Sequence, residues 1–483
     1  MDTTQPGSGA NPLLRKLLDE ADLSKGALAR AVVAAGAEQG HHVGTNTTSV
    51  TRMLAGAQPH WPVPRLVARA LSQQLHREVS VTDCGFADQT PAEEDPHDGL
   101  HCSGTLEQTV RTVVEMSGRD MNRRRFLLGS AFTSAAFAEP ALFALTIPPS
   151  PSAARSTGPR IGMPDVEIIT ETVAHLRRLD HRYGSGRVRQ QIIALLNREA
   201  GTVLHGSYSD KTGKALLGAV AQAAWLAGAT SADVGRHALA QRYYIQTLNL
   251  AMSAGDRLYA ANVLSHMSRM AVQIGHATAK DRHRVGHARQ AVALARTGQQ
   301  LAGRAATPAL TALMSAVEAR GLVLLGDGEA TAIRRAIRAA EQSYDRVRPE
   351  TEPTWLSFYT EAELAADVGR CLSALGESEQ AIHHIGHALA QYEPWRTRSR
   401  CFVQIDLSAA HLVGRDHEQA AAYGRDAVRT ATHVSSQRSH DKLATLRRNL
   451  GPHTGGSPEL ADLDQRITRL LPTASRNEDT VSR

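Results

Sequence analysis

The sequence is poor in several residue types and motifs that mark particular classes of protein. Only six of its 54 Lys and Arg residues are Lys, and aromatic residues make up 4% of the chain. Its four cysteines are scattered and form no CxxC pair: Cys84, Cys102, Cys371 and Cys401. This spacing argues against a disulfide framework and predicts a reducing, cytoplasmic location.

Motifs that would indicate catalysis or metal binding are also lacking. No nucleophile–base arrangement stands out, and Gly326–Glu329 lacks the Lys-Ser/Thr of a phosphate loop, which predicts a turn between helices. His383 and His387 are four residues apart on one predicted helix but have no Glu or Cys nearby. A second set of potential zinc ligands consists of Cys84, His97, His101 and Cys102. The acidic linker between them argues against a rigid zinc site. We therefore expect a protein that is not an enzyme, with no catalytic residues, metal or cofactor.

The N-terminal part of the chain has the pattern of a small helical domain. Helices are predicted from about Asn11, from Lys25 to about Ala35, from Thr47 to Ala55, and from about Pro64 through Leu75. Ser24 is a suitable N-cap for the second helix, and Gly56 ends the third. A polar, Gly-rich stretch, Gly36–Asn46, separates these two helices.

The third predicted helix has two chemically different faces. Val50, Met53 and Leu54 lie on one face, which we expect to be buried. The opposite face carries short hydroxyls and an arginine, which suit base edges and phosphates in a DNA groove. Residues 10–80 contain eight basic and five acidic residues, a local charge of +3. We therefore predict a helix-turn-helix that binds double-stranded DNA through Lys25, Thr47, Thr48, Ser49, Thr51 and Arg52. The alternative is a solvated polar face on a protein-interaction module.

From about Pro164 to Leu471 the sequence is helical and internally repetitive. Gly376, Ala381 and Ala388 stand five and seven residues apart, and Gly235, Ala240 and Thr247 keep the same offsets. Looser copies centred on Ala288, Ala332 and Ala420 complete a series with intervals of 39 to 49 residues. Small residues at such positions let two helices of a hairpin approach closely. The fold class predicted is therefore all-α, a small helix-turn-helix domain plus an α-solenoid of helical hairpins.

Helical arrays of this kind offer a groove for a partner. We predict a groove lined by Tyr243, Asn262, His266 and Arg269, which would accept a peptide, small-molecule or protein effector. Self-association into a homo-oligomer is a further use of such a body. The alternative for each of these residues is ordinary helix surface.

Parts of the chain resemble a known family. The run LLRKLLDEADLSKGALARAVVAAGAEQG, the later TSVTRMLAG, and RRRFL at Arg123–Leu127 resemble actinobacterial transcriptional regulators that pair a helix-turn-helix with a tetratricopeptide-like body. Some members of that family are negative regulators of sporulation and antibiotic production. The resemblance implies control of development or secondary metabolism. One difference is the connection Gly36–Asn46, which exceeds the usual three- or four-residue turn.

The middle of the chain contains a feature that resembles an export signal. Arg123 and Arg124 precede an apolar stretch, Phe126–Phe137, and a cleavage-like Ala136–Ala138. Glu139 and Pro140 interrupt the apolar run, so we do not expect a membrane span. We expect instead a buried helix that packs the preceding linker against the body.

Together these features predict a DNA-binding regulator. The alternatives are a scaffold that never contacts DNA, and a membrane-associated or exported protein that uses the internal twin-arginine motif. The predicted organisation is a helix-turn-helix domain at 1–86, an acidic linker at 87–104, a helical segment at 105–147, a linker at 148–162, a tetratricopeptide-like domain at 163–472 and a disordered tail at 473–483.

Overall fold

The computed structural model describes residues 10–38, 43–59, 62–87, 98–121, 132–146, 153–278 and 281–471. The chain forms two compact units, 1–95 and 96–483, called here the head and the body. The predicted twin-arginine motif and the predicted tail at 473–483 lie outside the described residues.

The fold is all-α, as the sequence predicts. The head contains α1 (Pro12–Glu20), α2 (Lys25–Glu38), α3 (Thr47–Leu54) and α4 (Val63–Leu75). The first described helices of the body are α5 (Leu106–Met121), α6 (Ala138–Thr146), α7 (Met163–Tyr183), α8 (Ser185–His205), α9 (Asp210–Asp233), α10 (His237–Ala254), α11 (Arg257–Ala277) and α12 (Asp281–Ala302). The remaining ones are α13 (Pro308–Val323), α14 (Ala330–Tyr344), α15 (Glu361–Ala374), α16 (Ser378–Gln391), α17 (Thr397–Val413), α18 (His417–Ala431), α19 (Gln437–Leu450) and α20 (Pro458–Leu470). Short 3-10 turns occupy several connections, including Asp327–Glu329 in the predicted GDGE turn.

The head is built around one apolar core. Leu14, Leu28, Val50, Leu66 and Leu71 are fully buried and pack together from all four helices. The predicted N-cap of α2 is present, since the Ala27 amide donates to Ser24 Oγ at 3.1 Å. At the end of α3 the C-cap is Ala55, and Gly56, with φ +91°, follows it. The buried face of α3 is therefore fixed by the core, and its other face is left to solvent.

The N-terminal end of α1 is tied to the end of the head. The Asn11 side chain accepts from the Leu14 amide at 3.0 Å and donates from Nδ2 to the Cys84 carbonyl at 2.9 Å. Gly85 has φ +70°, and a Cβ there would lie 2.3 Å from Asn11 Oδ1. This contact joins the first and last described segments of the head.

The body is a series of helical hairpins. Consecutive helices pair as α7–α8, α9–α10, α11–α12, α13–α14, α15–α16, α17–α18 and α19–α20. Small residues sit at the predicted contacts, where Ala240, Ala288, Ala381, Ala388 and Ala420 are fully buried. Ala381 and Ala388 pack α16 onto α15, where a Cβ at Gly369 would lie 3.2 Å from the Ala381 carbonyl oxygen.

The repeat predicted at Ala332 is shifted by one residue. Ala332 is only half-buried, whereas Ile333 and Ala340 of α14 are buried. Gly328, Ile333 and Ala340 keep the offsets of five and seven. The prediction failed here because it required a small residue at the first buried position, which in this hairpin is occupied by isoleucine.

The odd-numbered helices from α7 to α19 line the two cavities of the body, on what we call its inner surface, and the first helices of the array contact the last ones. Helix α7 packs against α17, and α9 contacts α19. The Ser435 amide donates to the Tyr183 carbonyl and the Gly186 amide donates to the Ser435 carbonyl, both at 2.9 Å. Gly184, with φ +83°, has room for no side chain, because a Cβ would lie 2.6 Å from the Ser435 carbonyl oxygen.

The segment before the repeats is packed onto them. Helix α5 lies against α8 and α10, and α6 lies against α12. Asp120 at the end of α5 is buried, pairs with Arg189 and Arg236, and accepts from the Tyr243 hydroxyl at 3.0 Å. Of the predicted linker 148–162, the described part also packs on the body, since Arg155 exchanges backbone hydrogen bonds with Tyr208 at 2.8 and 3.0 Å.

One described helix, α9, is long and apolar enough to cross a membrane when judged by length and composition alone. Most of α9 is buried against neighbouring helices of the body. The same composition suits the central helix of a packed core.

Candidate functional site

The exposed face of α3 is the first candidate site. Thr47, Thr48, Thr51 and Arg52 are exposed and Ser49 is half-exposed, while the apolar residues of this helix face the core. Among the described residues the Arg52 guanidinium has no hydrogen-bond or ion-pair partner, although the Arg52 carbonyl accepts from the Ala55 and Ala57 amides. The face therefore presents a free guanidinium beside a row of hydroxyl groups.

Two of the hydroxyls on α3 are already used within the helix. Asn46 is the N-cap, and its Oδ1 accepts from the Ser49 amide at 2.9 Å and from the Ser49 hydroxyl at 3.1 Å. The Thr51 hydroxyl donates to the Thr47 carbonyl at 2.9 Å. Ser49 and Thr51 can still accept a hydrogen bond, whereas Thr47 and Thr48 keep both donor and acceptor capacity for a ligand.

The start of α2 lies beside the start of α3. A Cβ built on Gly26 would be 3.8 Å from Thr47 Oγ1 and 3.6 Å from a guanidinium nitrogen of Arg30. Arg30 and Lys25 are exposed and unpaired among the described residues. Arg30 was not among the predicted DNA-binding residues, because its place beside Thr47 depends on how the two helices pack. Helices α2 and α3 pack together, and we refer to their exposed polar residues as the α2–α3 surface: Lys25, Arg30, Thr47, Thr48, Thr51 and Arg52.

The predicted groove residues of the body fall in different environments. Asn262, His266 and Arg269 lie on one face of α11 towards the inner surface. Tyr243 is fully buried beside Asp120 and does not line this surface. The predicted groove position of Tyr243 is therefore wrong, because α5 covers this part of α10 and the sequence gives no sign of that contact.

A chain of ion pairs follows the inner surface across the odd-numbered helices. The fully buried Asp367 of α15 pairs with Arg269 of α11, with Arg320 of α13 and with Arg370 of its own helix. These three cations hold the pKa of Asp367 below its usual value against the effect of burial. Arg370 also contacts Asp406, 2.7 Å away. Arg269 is therefore structural in this arrangement, because its charge is neutralised by Asp367.

Two cavities open on this surface. The larger, of about 480 Å³, is lined by parts of α11, α13, α15, α17 and α19. Its basic residues include Arg320, Arg370 and Lys442, which are already paired with Asp367 or Asp406. Arg438 lies over the Phe402 ring at 5.0 Å, and burial lowers its pKa to about 10. The smaller cavity, of about 370 Å³, contains Asn262 and is described below.

The residues considered as metal ligands have other surroundings where the structure describes them, and His97 lies outside the described residues. His387 Nε2 lies 3.0 Å from Glu361, and Cys84 is buried in the core of the head, where burial raises its pKa to about 12. Among the described residues there is no group of three or more His, Cys, Asp and Glu side chains that could hold a metal ion.

The head is similar to a known protein family. Residues 14–87 match the model of a family described as the SP15 N-terminal domain. No curated protein matches the chain. The match begins at Leu14 within α1 and continues through α4 to Ala87, so most of the described head is similar to a recognised domain.

Proposed function

We propose that the protein is a DNA-binding transcriptional regulator whose head contacts duplex DNA through the α2–α3 surface. The observation that carries this proposal is the juxtaposition of three unpaired cations, Lys25, Arg30 and Arg52, with the exposed hydroxyls of α3. Arginine and lysine supply phosphate contacts, and arginine also reads guanine in the major groove. The helical-hairpin body would bind an effector or partner, in keeping with the sequence resemblance to regulators of development and secondary metabolism.

The test is selection of genomic fragments by the full-length protein, followed by affinity measurement on the enriched fragments at several salt concentrations. Binding should weaken steeply with salt, because phosphate contacts release counterions. The double variant Lys25→Ala/Arg30→Ala should lower the salt slope by about two, roughly one for each lost phosphate contact. The matched control is Arg429→Ala, which removes an exposed arginine of α18 in the body.

Background binding of every fragment at low salt would contradict the proposal. It would favour the second possibility, a scaffold that acts through the helical-hairpin body alone. An equal salt slope for the double variant and the wild-type protein would show that the α2–α3 surface does not contact phosphates.

We also propose a cytoplasmic location. The nearest described segments on either side of Arg123 and Arg124 are α5, which ends at Met121, and residues 132–146, which include α6. Helices α5 and α6 pack against the repeats, and Phe137 is fully buried. Cutting after Ala138 would separate this phenylalanine from α6. Cell fractionation tests the proposal: the full-length chain should be in the cytoplasm, and a product beginning at Glu139 outside it would overturn this.

A further inference from the structure

The smaller cavity of the body has an unusual lining. It lies between α7, α9 and α11 and the segments around Phe358 and Trp395, and we call it the tryptophan cavity. Its principal lining residues are Arg177, Trp225, Tyr259, Trp355, Phe358 and Trp395. Three of the four tryptophans of the chain are therefore gathered at one site, in a sequence where aromatic residues make up only 4%. At about 370 Å³ the cavity falls within the range of small-molecule sites, roughly 300–1,000 Å³.

Arg177 is a largely buried cation of this cavity that lacks a counterion among the described residues. Its guanidinium carbon lies 5.3 Å from the centre of the Trp225 ring and 4.9 Å from that of Phe358. Among the described residues no carboxylate is within ion-pair distance of Arg177. The nearby acids are engaged elsewhere, Asp180 by Arg398 at 2.7 Å and Glu363 by Arg396 at 3.8 Å. Burial lowers the pKa of Arg177 to about 10, so it remains charged at neutral pH.

Several buried polar atoms around Arg177 also lack a partner. The Tyr259 hydroxyl, the Asn262 side-chain oxygen, the Trp225 indole N–H and Arg396 Nε have no hydrogen bond among the described residues. Tyr259 is 3% exposed and Asn262 2% exposed. An unsatisfied buried polar group costs about 1–3 kcal/mol, and such groups are rare in folded proteins. Four of them around one cavity indicate that something with hydrogen-bonding atoms belongs there.

The charge of the lining selects the sign of the ligand. Arg177, Arg178 and Arg396 carry three positive charges, against one negative charge on Glu393 and one on Glu363, which pairs with Arg396, so positive charge remains in excess. Burial, followed by the nearby arginines, lowers the pKa of His181 well below its usual value, so this residue adds no charge at neutral pH. The larger cavity differs in this respect, because Asp367 and Asp406 already neutralise its inner cations.

We infer that the tryptophan cavity binds a small organic anion with a flat apolar part, in the class of aromatic carboxylates. The anionic group would meet Arg177 and accept hydrogen bonds from Tyr259 and Trp225. The flat part would pack against Trp355 and Trp395. The role of this compound as the effector of a regulator rests on the proposed function. Its binding to the cavity does not, because binding does not require DNA.

The experiment uses the full-length protein and three probes of matched shape. These are 2-naphthoate, the neutral 2-naphthalenemethanol and the cationic 2-naphthylmethylamine, each titrated by calorimetry and by tryptophan emission. We expect saturable binding of 2-naphthoate with a change in emission. The neutral alcohol should bind about tenfold more weakly or worse, because it forfeits a charge-assisted hydrogen bond. The amine should not bind.

Variants locate the site. Arg177→Gln should lose about tenfold in affinity for 2-naphthoate and should bind the acid and the alcohol equally. Arg177→Lys should restore part of the preference for the anion. Arg448→Gln, in the larger cavity, is the control and should bind as the wild-type protein does. Circular dichroism at each step shows whether a variant is folded.

Equal affinities of the wild-type protein for acid and alcohol would overturn the inference, as would no detectable binding of 2-naphthoate at millimolar concentration. Unchanged selectivity in a folded Arg177→Gln protein would also overturn it. DNA affinity measured on the same samples separates the two proposals. Anion binding by a protein that does not bind DNA would contradict the proposed function and leave the cavity assignment intact.

Discussion

Arg398 and Asp180, 218 positions apart in the sequence, form a bidentate ion pair between α17 and α7, with nitrogen–oxygen distances of 2.8 and 2.7 Å. Arg398 also lies 3.5 Å from Asp233 of α9 and donates to the Ser185 hydroxyl at 3.0 Å. The side chains of Arg398, Asp180 and Asp233 are largely buried. A single guanidinium thus joins the first repeats of the body to a late one.

Replacing Arg398 with leucine should destabilise the body strongly. The change leaves two buried carboxylates, Asp180 and Asp233, without their cation, at a cost of about 3–5 kcal/mol. The control is Arg429→Leu, because Arg429 pairs with Asp426 on the exposed face of α18 and should contribute no more than about 1 kcal/mol. Urea unfolding monitored by circular dichroism measures both. Similar losses for the two variants would show that this pair does not hold the array closed.

Arg52→Ala should lower the affinity for a selected DNA site by about 1–3 kcal/mol and change base preference at one position, if Arg52 reads a base. If it contacts phosphate, the loss should be equal for all sequences. The buried residues of α3 are untouched by this change, so the melting temperature should stay constant. Competition binding against single-base variants of the site distinguishes these results. Wild-type affinity for every sequence would exclude Arg52 from the interface.

Ala381→Leu should destabilise the body by about 1–3 kcal/mol through overpacking. Ala381 is fully buried, and the neighbouring Ile385 would lie 2.5 Å from a Cβ on Gly369, so this hairpin has no spare room. Gln380→Leu makes a matched change at the adjacent exposed position and should have little effect. Thermal unfolding compares them. Equal melting temperatures would mean that Ala381 does not set the approach of α15 and α16.

Arg415→Gly should stabilise the protein by roughly 0.5–1 kcal/mol. Arg415 has φ +61° in the turn from α17 to α18, at the place where the turns before α10 and α16 have Gly235 (φ +81°) and Gly376 (φ +79°). The left-handed conformation costs a non-glycine residue about 1–2 kcal/mol, offset in part by the greater freedom of glycine when unfolded.

Gly376→Ala is the reciprocal change. It should destabilise the protein through backbone strain alone, because no atom lies within 4 Å of the added methyl group. A lower melting temperature for Arg415→Gly would contradict this.

Local patterns in the sequence predicted local features of the structure. The helical spacing of apolar residues on α3 predicted that Val50, Met53 and Leu54 are buried. Small residues at regular offsets predicted the helix contacts at Ala381 and Ala388. These features depend on residues within one or two helical turns of each other. The side-chain cap from Asn46 is equally local: Asn46 ends the polar stretch, and the helix begins at Thr47, as the sequence predicts.

Features that depend on distant parts of the chain were not predictable. Tyr243 is covered because Asp120, 123 positions earlier, meets its hydroxyl. Arg30 lies beside Thr47 because α2 packs against α3. Arg177 lines the tryptophan cavity because helices α7, α9 and α11 come together there. A sequence periodicity indicates which face of a helix is buried, but it carries no information on which other helix covers that face.

The contact between α7 and α17 has a consequence for how the body unfolds. In an open array each repeat touches only its neighbours, so terminal repeats can melt before the middle and the transition broadens. Here the Tyr183–Ser435 and Arg398–Asp180 contacts give the first hairpin a second neighbour from the far end. Unfolding of either terminal hairpin therefore exposes apolar surface at both ends of the array. Local unfolding of one end thus costs more free energy than it would in an open array. The body should lose its structure in one cooperative step, with a denaturant sensitivity set by its whole buried surface.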